Sequence, residues 1–270
     1  MNILPWLHIL AAYFLYILVT LLTSLLIRRL AGDLKDMAAR NSPRVLLLGA
    51  AANLLAMLGV ILLLVFWDRR PVAALGLGFS RLDLLAALAG VGLTYALAVG
   101  FLFVQRLTGR VIALGAASPL ASGAGAGSMA LGLLVLAAVV LQEETLNRGY
   151  VTLQLLHLGP ALILLVTTLT FVLIHFLTNR AGPAQVISWV ISGLVLGLAY
   201  LLSGSIWLPI LLHYATDTAN VLVFNITGQF SFFQTTPALT DVQRATFRVL
   251  YGLVVVVLLL AVYGLNFKIV

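Results

Sequence analysis

Long apolar runs separated by short polar clusters set the rhythm of this chain. Eight such runs can be drawn, at about 5–27, 45–67, 84–105, 130–157, 160–178, 184–203, 206–226 and 246–265. Most approach or exceed the roughly 20 residues with which a helix crosses the hydrocarbon core of a bilayer. Lipid offers no partner to a backbone N–H or C=O, so each run is predicted to be helical. The pattern predicts an all-α fold: a polytopic transmembrane helix bundle of about eight spans, forming one integral membrane domain over residues 1–270.

The fourth run is the one that polarity would cut short, because it contains Glu143, Glu144 and Arg148. Residues 149–157 are again largely apolar, and the next turn signal is Gly159-Pro160, so a single helix is expected to run through the charges. The stretch 121–128, rich in glycine and alanine, reads as a flexible connector. No Gly-Lys-Ser/Thr follows it, which excludes a phosphate-binding loop. Gly193 and Gly197 stand at GxxxG spacing, which predicts close helix packing within the chain in preference to dimerisation.

Composition sharpens the membrane reading. The chain is 63% hydrophobic and only 9% charged, against about 25% charged residues in soluble domains. Mean hydropathy is +1.16. The net charge of +7 is carried mainly by Arg and Lys between the apolar runs, where they orient spans and meet anionic headgroups. Ten of them (28, 29, 35, 40, 44, 106, 110, 180, 244, 248) fall on one side of the eight-span drawing and four (69, 70, 81, 268) on the other. The first loop is therefore expected in the cytoplasm and both termini outside. No basic stripe interleaved with aromatics is present, so nucleic acid is not an expected partner. Thirteen Arg against two Lys point to a GC-rich bacterial genome, and so to a multi-pass protein of the bacterial cytoplasmic membrane. The absence of cysteine excludes disulfides, thiolate metal sites and a cysteine nucleophile. The first run lacks the basic segment of a cleavable signal and reads as a transmembrane helix.

Against this background six ionisable residues stand out: Glu143, Glu144, Arg148, His175, His213 and Asp217 all lie inside apolar runs. A charge at mid-membrane costs about 2.5–3.5 kcal/mol on insertion scales, so a group of four approaches 10 kcal/mol. A lone transmembrane histidine usually packs, and a lone Glu–Arg pair can simply staple a bundle. Six such groups on three predicted helices argue for chemistry. Spacing argues that they meet. Glu143 lies sixteen residues before Gly159 and His175 sixteen after it, which would place both about 24 Å from the turn in an antiparallel pair. Glu144 and Arg148 are an i,i+4 pair, as are His213 and Asp217, with Asn220 continuing the second face. His213 sits about seven residues into its run, a shallower position that tilt must absorb. The three acids and Arg148 leave two negative charges to balance, by two imidazolium groups, a divalent metal or carboxyl protons. His8 and His157, near run ends, read as interfacial, and Trp6, Trp67, Trp189 and Trp207 as anchors or packing.

At these residues the chain resembles the CPBP family, which includes the CAAX proteases and the bacteriocin-processing Abi proteins. That family is marked by three motifs in fixed order. EExxxR corresponds to Glu143-Glu144-Thr-Leu-Asn-Arg148 with Gly149 following, FxxxH to Phe171–His175, and HxxxN/D to His213–Asp217. The strong resemblance covers 143–217. Asn147 stands where the family often has an aromatic residue, and Asp217 where the prenyl-protein enzymes have Asn. The resemblance implies an intramembrane endopeptidase acting on a membrane-associated peptide or protein. Glu143 would be the base for water, Arg148 would hold Glu144, His175 would share the water, His213 would stabilise the oxyanion and Asp217 would orient His213. It also implies glutamate-activated water without a cofactor. A zinc site of His175, His213 and Glu144 is the alternative left open. Two other classes remain: a proton- or ion-coupled transporter using the same buried groups, and a non-catalytic membrane scaffold. The oligomeric state is not legible.

Overall fold

The computed structural model describes residues 3–31, 42–111, 113–116, 123–178, 181–225 and 231–268. Most of the first polar loop, Arg180, residues 121 and 122, and the end of the seventh run at 226 lie outside them. The helices are α1 (Leu4–Ala31), α2 (Pro43–Leu62), α3 (Arg81–Leu107), α4 (Gly123–Glu144), α5 (Pro160–Thr178), α6 (Pro183–Ser203), α7 (Trp207–Leu222) and α8 (Asp241–Tyr263). Two four-residue strands, β1 (Ala113–Ala116) and β2 (Phe233–Thr236), pair antiparallel with Ala113 opposite Thr236. This small ribbon is the departure from an all-helical fold.

Among the described residues, six helical stretches have the length and apolarity to cross a membrane: Leu4–Leu30, Pro43–Trp67, Arg81–Leu107, Gly125–Leu158, Pro183–Ser203 and Asp241–Tyr263. The molecule is thus a polytopic helical membrane protein. The fifth and seventh runs yield shorter helices, an apolar Pro160–Phe176 and the 16-residue α7, which carries His213, Thr216, Asp217, Thr218 and Asn220. On α1 the exposed side chains Leu7, Leu10, Phe14, Leu18, Leu21 and Leu25 recur at three- and four-residue intervals. That is the lipid-facing stripe of a membrane helix.

Helix boundaries follow local chemistry. Pro43 and Pro183 occupy first turns, where a missing N–H costs nothing. Ser80 and Asp83 form a capping box at α3, and Thr240 and Gln243 form one at α8. The glycine-rich segment is not a flexible linker from Gly123 onward: it forms the first turns of α4. Glycine disfavours helix by about 1 kcal/mol in water, but in lipid an unpaired backbone group costs more.

The helices form two compact units, residues 1–75 with 120–155, and residues 76–119 with 156–270. In the first, α1, α2 and α4 pack together. Helix α4 runs into a π-helical turn, Thr145–Val151, and one more α-turn, Thr152–Leu155, so the fourth run does pass through its charges as a helix. In the second unit α3, α6, α7 and α8 surround a core that includes Phe101, Phe224, Phe247 and Tyr251. Gly159, with φ of +76°, makes the turn into α5. Helix α5 packs tightly on α6. A Cβ on Gly193 would stand 2.8 Å from Thr168 Cγ2 and 3.2 Å from its Cα, and one on Gly197 would stand 2.6 Å from Leu164 Cδ1. The GxxxG spacing therefore serves contact within the chain.

Candidate active site

The first motif lies in the first unit. Glu144 and Arg148 form an ion pair, Arg148 Nη1 donating to Glu144 Oε1 at 3.1 Å, with both side chains at 0% exposure. The i,i+4 spacing sets the pair, and the π-turn that begins at Thr145 adds a local change of pitch between its members. Glu143, on the neighbouring face, is half-buried. Asn147, 1% exposed, links two elements at this point. Its Nδ2 donates to the Glu143 carbonyl at 3.0 Å, and Tyr13 of α1 donates its hydroxyl to Asn147 Oδ1 at 2.6 Å. Tyr16, one turn further along α1, interacts electrostatically with Glu143. The departure from the family pattern at Asn147 is thus a polar strap from α1 to the backbone of Glu143.

His8 is buried within the protein. It is 6% exposed, its Nδ1 is paired with Asp68, and its ring lies 4.8 Å from that of Trp67. This join ties the start of α1 to the end of α2. His157 is exposed.

The second and third motifs lie in the second unit, and Phe171 brings them together. Its ring centroid is 4.4 Å from that of His175 and 5.8 Å from that of His213. His175 Nδ1 donates to the Phe171 carbonyl at 2.8 Å, which fixes the ring against its own helix. Trp189 of α6 covers the His175 ring, with centroids 5.0 Å apart, and so packs as expected. His213 is 5% exposed, and its Nε2 lies 3.5 Å from Asp217 Oδ2. Arg248 of α8 interacts electrostatically with Asp217. The sequence counted this arginine with the charges of one membrane side, at the edge of the eighth run, and α8, which begins at Asp241, places it in the second turn. Asp217 therefore has a cationic neighbour beyond the histidines.

The site residues thus form two groups, Glu143, Glu144 and Arg148 in one unit and His175, His213 and Asp217 in the other. Among the described residues, no group of three or more His, Asp or Glu side chains is arranged to hold a metal ion. Sequence reasoning missed Tyr13, Tyr16 and Arg248. The signal for the tyrosines was available: Tyr13, Tyr16, Thr20 and Ser24 recur at helical spacing along an otherwise apolar α1.

Residues 125–219 match the family model described as Type II CAAX prenyl endopeptidase Rce1-like. All three motifs fall within that stretch. No curated protein and no solved structure matches the chain.

Proposed function

Residues 125–219 form an Rce1-like CAAX endopeptidase domain, a peptidase domain in a multi-pass membrane protein, and from that premise we propose that the chain cleaves membrane-associated peptides or proteins with glutamate-activated water. The observation that carries this reading is the fully buried Glu144–Arg148 pair beside half-buried Glu143. One carboxylate is neutralised and fixed, and its neighbour is left to handle protons.

In this reading each group of residues has its own part in the reaction. Glu143 takes a proton from water as its oxygen attacks the scissile carbonyl, and returns that proton to the departing amine. His175 shares the water, its Nδ1 being held by Phe171. His213, whose Nε2 lies 3.5 Å from Asp217 Oδ2, donates to the oxyanion as an imidazolium. Arg248 beside Asp217 keeps the carboxylate from opposing that charge. Removing an oxyanion donor of this kind costs about 10²–10³ in rate.

The test uses purified protein in lipid vesicles with membrane-anchored peptides, both prenylated and unprenylated. Cleavage should persist after exhaustive chelation and be abolished in Glu143→Gln. One zinc per chain, lost together with activity and restored by re-addition, would replace this mechanism with a metalloprotease.

A further inference from the structure

Hydrolysis consumes one water for every bond cleaved, and a glutamate inside an apolar helix has to be supplied with it. The first unit contains a cavity of about 260 Å³ lined by Tyr16, Thr20, Thr23, Ser24 and Ile27 of α1, Gly49, Ala52, Asn53 and Ala56 of α2, and Val139 of α4. Five of these ten lining residues carry a hydroxyl or an amide, in a chain that is 63% hydrophobic. The lining is mixed: apolar side chains alternate with the hydroxyls of Tyr16, Thr20, Thr23 and Ser24, and Asn53 donates to the Gly49 carbonyl at 2.8 Å. A purely apolar space of that size would hold a lipid tail or stay dry, whereas one with several hydrogen-bonding partners holds water. At about 30 Å³ per molecule in the liquid, there is room for several.

The cavity also runs in a useful direction. Its α1 wall extends from Tyr16 to Ile27, about 16 Å along the helix, ending beside Arg28 and Arg29. Its inner end reaches Val139, one helical turn before Gln142 and Glu143 on the same face of α4. Tyr16 belongs to both places: it lines the cavity and interacts with Glu143. Gln142 supplies a second, independent sign. It is 0% exposed, and neither of its side-chain amide atoms has a protein partner among the described residues. A buried amide left this way costs about 1–3 kcal/mol unless water serves it.

We propose that this hydroxyl-lined cavity between α1, α2 and α4 is a water-filled inlet, open toward the Arg28–Arg29 end, that delivers the hydrolytic water to Glu143. The assignment rests on the reading of Glu143 as the base, but hydration of the cavity is measurable without any substrate. Tyr16, hydrogen-bonded to Thr20 in the cavity wall, acts as a positioning residue at the inner end, within electrostatic range of Glu143.

The chain has no cysteine, so single thiols report cleanly. Ala52→Cys and Val139→Cys, placed in the cavity wall, are compared in vesicles with Leu55→Cys and Leu134→Cys, whose parent side chains are exposed on lipid-facing surface. The probe is a small charged methanethiosulfonate. The inlet predicts modification at positions 52 and 139 at least tenfold faster than at 55 and 134. Equal, slow modification at all four would mean a lipid-filled groove and overturn the proposal, whatever the protease assay shows. A second arm narrows the cavity with Gly49→Leu, since a Cβ there meets nothing within 4 Å. It should lower kcat about tenfold with KM within twofold and an unchanged thermal midpoint. A raised KM with unchanged kcat would make the cavity a substrate subsite and also overturn the assignment.

Discussion

Arg148 is the residue whose removal has the most to disturb. Its guanidinium and the Glu144 carboxylate are both sealed from solvent, so neither can exchange its partner for water. Breaking a buried pair by deleting one member costs about 3–5 kcal/mol, because a charge is left behind. Arg148→Ala should therefore lower yield and thermal stability along with activity. Wild-type levels of all three in that variant would show that the pair has no such role. The i,i+4 spacing made this pair legible in the sequence, as it did for His213 and Asp217. The contacts of Asn147 and Arg248 were not legible, for a physical reason. A hydrogen bond from Tyr13, 134 positions earlier, or a cation delivered by a helix start 24 residues beyond Asp217, leaves no local trace in the pattern.

At the scale of helices, hydrophobic runs located every element that carries a motif, including the helix that continues through Glu143 and Arg148. They misplaced what depends on backbone satisfaction in lipid, as at the glycine-rich start of α4, and they gave no sign of the β1–β2 ribbon, which pairs across 117 positions. The α5–α6 contact is where packing bears on chemistry, since α5 carries His175. Gly193→Ala drives its methyl group against the Thr168 backbone, while Gly197→Ala meets the movable end of Leu164. Overpacking of the first kind costs about 1–3 kcal/mol. Gly193→Ala should lower the thermal midpoint more than Gly197→Ala, and reduce cleavage by displacing His175. The opposite order of the two midpoints would show that this contact does not hold α5 in place.

For the whole molecule, the question is how the spans are threaded. Arg40 and Ala126 are separated by α2 and α3, both long and apolar enough to cross, so they should lie on one side of the membrane. The excess of Arg and Lys makes that side the cytoplasm. Cysteines placed at the two positions should react with an impermeant reagent only from the cytoplasmic face. Labelling from opposite faces would break the topology at its first four helices. The eight-span arrangement and the roles of the motif residues belong to the functional proposal, and activity is their most direct readout. The decisive measurement is a comparison of membrane-protein termini in cells carrying the wild type or Glu143→Gln at matched expression. New termini that are present with the wild type and absent with the variant are the predicted result. The same set of termini in both, from a variant that is folded and inserted, would contradict peptide hydrolysis by this glutamate.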